Sequence, residues 1–211
     1  SIVGKYGEIY DSPISPIFKQ YFDSNLTKVE YNPQLAKNIL AEEGWKDNNG
    51  DGILEKNNQK FSFKIYTAAG NSIRQYVGTI IKNNLKEVGI EAELMFVERS
   101  ELLDGMIARK YDAWISGWSI EIPLKLESYW SSNPDKAMLN FSGFSNQELE
   151  KIFERVKPAD SEENKKLNYK RVSEIFKENE PVTMLFWTHN IIGCNNRIKN
   201  LKFSPLGLFT N

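Results

Sequence analysis

The chain has 211 residues, 27 Lys plus Arg against 28 Asp plus Glu, and a formal net charge of −1. Apolar residues make up 40% and charged residues 26%, the profile of an ordinary globular domain, and the even charge balance argues against a nucleic-acid binder, which needs a basic face. One cysteine, Cys194, and one histidine, His189, exclude an intramolecular disulfide, a multi-cysteine zinc site and a His-rich metal site.

In chain order, residues 1–30 read as an irregular arm punctuated by Gly4, Gly7, Pro13 and Pro16. "YNPQLAKNILAEEG" predicts a helix with Asn32 as N-cap, Pro33 at the first helical position and Gly44 as C-cap. After an Asp/Asn/Gly loop, "ILEKNNQK" predicts a hairpin feeding a strand at about residues 60–67. "NSIRQYVGTIIKNNLKEVG" carries Ile73, Tyr76, Val77, Ile80, Ile81, Leu85 and Val88 at helical spacing, and "IEAELMFV" alternates as a strand. Strand, helix and strand with short joints make a βαβ unit. A short helix near 99–109, a strand in "YDAWISGW" and a helix around 124–131 follow. "SNQELEKIFERV" predicts a helix capped by Ser145, with Glu148 completing a capping box, and another helix spans about 161–179 before Pro181. "VTMLFWTHNIIG" reads as a buried strand and "IKNLKFS" as a last one. The fold class is α/β, with a mixed β-sheet flanked by helices. Glycine-rich phosphate loops, a nucleophile elbow and a His–Glu metal helix are all missing from the sequence, and paired acids such as Glu42/Glu43 do not converge on a helix, so no catalytic residues are assigned.

Taken together these pieces resemble one family, the large extracytoplasmic solute-binding proteins of dipeptide and oligopeptide ABC importers (family 5). The matching stretches are "YNPQLAKNILAEEGW" followed by "DNNGDG", the βαβ segment with "LKEVGIEAEL", "KYDAWISGW", "NFSGFSNQELEKIFERV" and "KRVSEIFKENEPVTMLFW". They run collinearly over roughly residues 7–207, the span of the family's C-terminal lobe. The resemblance implies one lobe of a two-lobed, type II periplasmic-binding-protein-like fold. It divides the chain into an irregular segment from a first lobe (1–30), an α/β ligand-binding lobe (31–204) and a tail heading back to the first lobe (205–211). The implied function is a receptor that holds a peptide or other small solute between two lobes and delivers it to an ABC transporter permease. Its partners would be that solute, the permease and the missing N-terminal lobe. It would act outside the cytoplasm, in the periplasm or anchored to the membrane, as a monomer. The family also includes receptors for oligosaccharides and nickel complexes.

The same resemblance assigns ligand-binding residues around "WISGWSIE": Trp114, Gly117, Trp118, Ser119 and Glu121. Glu121 falls where peptide-binding members place an aspartate on the ligand's α-amino group, a charge-assisted bond. Leu124 and Lys125 replace the Asp-Pro step that follows in the family. On an alternating strand Trp114 and Trp118 would face the same side as an aromatic wall. Asn140 and Phe141 lie in another family-like stretch that approaches the cleft.

"DNNGDGILE" begins like a calcium loop, with Asp47, Asn49, Asp51 and Glu55 at positions one, three, five and nine. Position twelve, where a bidentate Glu belongs, is Asn58, and a strand rather than a helix follows. Asn, Asp and Gly are equally the residues of a tight turn. The turn is the favoured expectation and no cofactor is assigned, with a weak calcium site, in a calcium-stabilised structural or adhesion module, as the alternative.

Overall fold

A computed structural model of the chain describes residues 4–21, 29–119, 121–157, 159–189, 191–200, 203–204 and 207–208. After a 3-10 turn at Gly4–Tyr6, the described elements are β1 (Gly7–Glu8), α1 (Pro33–Glu42), β2 (Glu55–Lys56), β3 (Gln59–Lys60), β4 (Ser62–Ala68), α2 (Ser72–Glu87), β5 (Glu91–Val97) and α3 (Arg99–Ile107). These are followed by β6 (Ala113–Ile115), α4 (Glu127–Trp130), α5 (Gln147–Arg155), α6 (Glu162–Asn179), β7 (Trp187–Thr188), β8 (Phe203–Ser204) and β9 (Gly207–Leu208). They fall into two compact units, Glu30–Trp118 and a second one assembled from the chain on either side of it.

In the Glu30–Trp118 unit, local signals place the elements. The Asn32 side chain accepts from the Leu35 N–H at 2.9 Å and Pro33 fills the first position of α1. Glu43, not Gly44, holds the C-cap; Gly44 stands one residue on, where its φ of +86° supplies the left-handed exit that a Cβ disfavours. The β2–β3 hairpin turns on Asn57 and Asn58, both with positive φ, as a two-residue hairpin requires. β4 then pairs in parallel with β5 along seven residues, Ser62↔Glu91 to Ala68↔Val97, and β6 pairs in parallel on the other edge of β4, Ile65↔Ala113 to Thr67↔Ile115. The strand order is β5-β4-β6.

The helices cover opposite faces of this sheet. A Cβ built on Gly78 of α2 would lie 3.1 Å from Leu94 Cδ2 and 3.4 Å from Ile115 Cδ1, the face of Ile65 and Thr67. On the other face Tyr66 stacks on Tyr111, ring centroids 3.8 Å apart, and Tyr111 lies against Gly105 of α3. Ile65, Val77, Ala92, Leu102, Met106 and Ile115 are the buried apolar centre. Burying one such side chain contributes roughly 1.5–3 kcal/mol.

The second unit draws on both ends of the chain. Residues 12–15, though irregular, are core: Ile14 has no exposure, and the buried Ser12 and Ser173 hydroxyls meet at 3.0 Å. α5 and α6 bury Leu149, Ile152 and Phe153 together with Val172, Ile175 and Phe176. Asn146, one residue after the expected Ser145, caps α5, its Oδ1 accepting from the Glu148 and Leu149 N–H groups at 2.9 and 3.0 Å. Its reach to two backbone donors replaces the capping box. Instead Glu148 receives a two-pronged bond from Arg171 at 2.8 and 2.9 Å, and Arg171 also donates to Glu174 and Glu178. The expected helix at 124–131 is the single turn of α4. The segment from Val182, expected as a buried strand, is only half-buried, and pairing is limited to β7 against β1. Of the last expected strand, Phe203–Ser204 form β8, paired with β9, while Leu201 and Lys202 lie outside the described residues. Parallel and antiparallel pairing thus both occur, in separate sheets of an α/β fold.

Candidate functional site

The order β5-β4-β6 carries a specific consequence. From β4 the chain winds to β5 over one face and returns across β4 to β6 over the other, so the winding reverses between β4 and β6. In open α/β sheets ligands bind at such a switch point, outside the carboxyl ends of the strands. β6 ends at Ile115, and the next residues are Ser116, Gly117 and Trp118, the centre of the sequence-assigned site.

Trp114 lies in β6, in register with Tyr66, and is half-buried; Trp118 is half-buried and Gly117 exposed. The strand stops three residues before Trp118, so strand alternation does not place Trp114 and Trp118 on a common side. The correction has a simple cause: alternation needs paired extended backbone, and β4 pairs β6 only as far as Ile115. Ser119 and Glu121 belong to the second unit, because the division falls between Trp118 and Ser119. Tyr129 of α4 donates weakly to both, its hydroxyl 3.3 Å from the Ser119 carbonyl oxygen and 3.4 Å from Glu121 Oε1. Burial first, then the Glu121 charge, pushes the Tyr129 hydroxyl pKa up.

Arg74, in the first turn of α2, stands close to this stretch: its Nη2 lies 3.4 Å from the position a Cβ on Gly117 would take. A basic residue at the positive end of a sixteen-residue helix departs from the usual preference for acids there, and the first turn of α2 has no acid.

Asn140 proves to be an internal fastener. It is 6% exposed, and its amide donates to the Ser131 and Phe144 carbonyls at 2.8 and 2.9 Å while accepting from the Ser142 hydroxyl and the Gly143 N–H. Those four bonds use an amide's full capacity. His189 bonds Glu8 at 2.9 Å and its N–H donates to the Tyr6 carbonyl, which ties β7 to β1.

The calcium-like loop closes on itself. Asp47 accepts from the Gly50 and Gly52 N–H groups at 2.8 and 2.9 Å. Asn49 accepts from the Asp51 N–H and donates to Asp51 and Glu55. Asp51 takes the Ile53 N–H and an ion pair from Lys60 of β3, and Lys60 is the first cause holding the Asp51 carboxyl below its usual range. The carboxylates are thus engaged by backbone N–H groups, an amide and an ammonium. Among the described residues, no group of three or more His, Cys, Asp or Glu is arranged to hold a metal ion.

Against this background the comparisons with known proteins are direct. The oligopeptide-binding protein AppA of Bacillus subtilis is 34% identical over 203 residues, covering 94% of this chain and 37% of AppA. The structure of AppA in complex with a nonapeptide superposes with a TM-score of 0.81 at 33% identity, over 89% of this chain and 38% of that one. The Thermus thermophilus oligopeptide-binding protein complexed with a pentapeptide shares the fold, with a TM-score of 0.76 at 21% identity over 89% of this chain and 35% of that one. The fold is that of the type II periplasmic binding proteins. A family model described as bacterial extracellular solute-binding proteins, family 5 (middle region) matches residues 1–140. The chain belongs to the bacterial extracellular solute-binding proteins of family 5. It spans a little over a third of the length of AppA and less of other relatives. No described helix is long and apolar enough to cross a membrane.

Proposed function

We propose that this chain is the larger part of one lobe of an ABC importer's peptide receptor, which holds the peptide in a cleft and passes it to a membrane permease outside the cytoplasm. The reading is carried by the 34% identity to an oligopeptide-binding protein, which extends over 94% of the chain. The reversal of winding between β4 and β6, at the strand end that precedes "SGW", supports it, because open α/β sheets bind ligands at such a point. In this reading Trp114, Gly117 and Trp118 of the Glu30–Trp118 unit are ligand-binding residues, and so, within the second unit, are Ser119 and Glu121. Glu121, with Tyr129 beside it, faces the peptide ammonium.

Calorimetry on the full-length receptor with nonapeptides tests this. Glu121→Gln should weaken binding of a peptide with a free amino terminus by about 1.5–3 kcal/mol, and leave an N-acetylated peptide unaffected. Equal loss for both peptides would reject the amine contact. No measurable binding of any peptide would reject the receptor reading.

A further inference from the structure

We propose that Tyr129 is a positioning residue for the amine contact: its hydroxyl holds Ser119 and the Glu121 carboxylate in the arrangement that meets an ammonium. This role rests on the peptide reading, with Glu121 as the amine partner, and deepens it. Every residue concerned belongs to the second unit.

Ser119 and Glu121 stand on backbone with little support of its own. Among the described residues, 119 and 121–125 belong to no helix or strand and make no backbone–backbone hydrogen bond; the hydrogen bonds that reach them are the two from Tyr129. Glu121 is half-buried and enters no ion pair among those residues, not even with Lys125 four positions on. A carboxylate on untethered backbone would have to be ordered each time a ligand arrives, and that ordering subtracts from affinity.

Tyr129 comes from the opposite situation. Its neighbours in α4, Leu126 before and Trp130 after, are buried, and Trp130 stands edge-on to Phe176 of α6 with ring centroids 4.7 Å apart. The next residue, the fully buried Ser131, donates to Glu150 of α5 at 2.8 Å. From that support the Tyr129 hydroxyl reaches the Ser119 carbonyl oxygen at 3.3 Å and Glu121 Oε1 at 3.4 Å. It has one proton for two acceptors, and both bonds are long. Such a donor yields without letting go: once an ammonium occupies Glu121, the proton passes to the Ser119 carbonyl and the segment stays tethered.

Two experiments on the full-length receptor test this. Affinity-selection mass spectrometry compares a random nonapeptide pool with free amino termini and the same pool N-acetylated. The native receptor should enrich the free pool, and Glu121→Gln should erase that preference. Tyr129→Phe keeps the ring and removes the tether. It should cut the preference roughly two- to tenfold, the range for one neutral hydrogen bond, while capture of the acetylated pool persists. In a Glu121→Gln background it should change the preference no further, because its effect passes through the carboxylate. A merely structural tyrosine would lower capture of both pools together.

The second experiment needs no peptide. Subtracting the alkaline absorbance titration of Tyr129→Phe isolates the ionisation of Tyr129. Burial and then the Glu121 charge hold this hydroxyl above the ordinary tyrosine range, so Glu121→Gln should bring its midpoint part of the way down. A preference erased by Glu121→Gln but intact in Tyr129→Phe, equal loss of both pools in Tyr129→Phe, or a midpoint that Glu121→Gln does not move overturns the positioning role and leaves the amine contact standing. A native receptor without the preference, or a preference that survives Glu121→Gln, overturns both. Failure of the native receptor to capture either pool overturns the receptor reading as well.

Discussion

Replacing Asn140 with alanine removes a side chain whose every hydrogen-bonding position is in use, and the cost can be worked bond by bond. The Ser142 hydroxyl is exposed and finds water when its partner goes, so it contributes little. The carbonyl of Ser131, a residue with no exposure, cannot do so, and the Phe144 carbonyl and Gly143 N–H lie in part-buried surroundings. Three backbone bonds at about 1 kcal/mol net each come to roughly 3 kcal/mol. For a chain of this size that corresponds to a melting temperature lower by about 6–12 °C. Asn140→Asp should be worse at neutral pH, because a carboxylate then faces two carbonyl oxygens with nothing to donate. Urea titrations followed by tryptophan fluorescence measure both, with the m-value checked for constancy. A loss below about 0.5 kcal/mol in Asn140→Ala would refute the claim that this amide fastens the turn, and would return Asn140 to the candidates for ligand contact.

Two other perturbations test the packing. A Cβ at Gly105 would lie 2.0 Å from Tyr111 Cζ, so Gly105→Ala should cost about 1–3 kcal/mol in urea unfolding by displacing that ring from Tyr66. The penalty should shrink markedly in a Tyr111→Ala background, and equal penalties in both would mean the helix backbone shifts instead. Tyr169, packed on Tyr21, has its hydroxyl pushed up to about 12, chiefly by burial. A folded-state pKa above the unfolded value of about 10 gives stability that is complete below pH 10 and is lost as pH rises toward 12. Discounted for partial exposure, Tyr169→Phe should abolish about 1–2 kcal/mol of that alkaline loss in stability measured from pH 9 to 12, and parallel profiles would reject the assignment.

The helices were largely legible because their signals are local. Asn32, Pro33, Asn71 and Ser161 act within three residues of themselves, and a cap read one residue early, Ser145 for Asn146, left the helix unchanged. Strand limits were less legible, because a strand ends where its neighbour does: β6 halts at Ile115 while the apolar pattern runs on to Trp118. The unit division at Trp118 had no sign in the sequence, since it cuts through a motif rather than a Gly/Pro-rich linker. The loop at Asp47–Glu55 was ambiguous for the same reason of distance, since Lys60, the ion-pair partner of Asp51, lies on a later strand. That a cation opens α2 is visible in the sequence, but its approach to Gly117 is not, because Gly117 follows β6, three elements beyond α2.

The two units differ in what they ask of a chain being synthesised. Glu30–Trp118 is continuous, and its strands have their partners close by in sequence. The other unit includes residues 12–18, of which Ser12–Ser15 and Phe18 are buried in the finished structure, yet Ser12 must wait 161 residues for Ser173. Until that distant pairing forms, Ile14 and Phe18 lack the cover they have when folded, and pairing so distant in sequence is slow and exposed to aggregation. The irregular N-terminal segment is therefore where a chaperone would have most to do, and where a mutation could lower yield without touching the binding site.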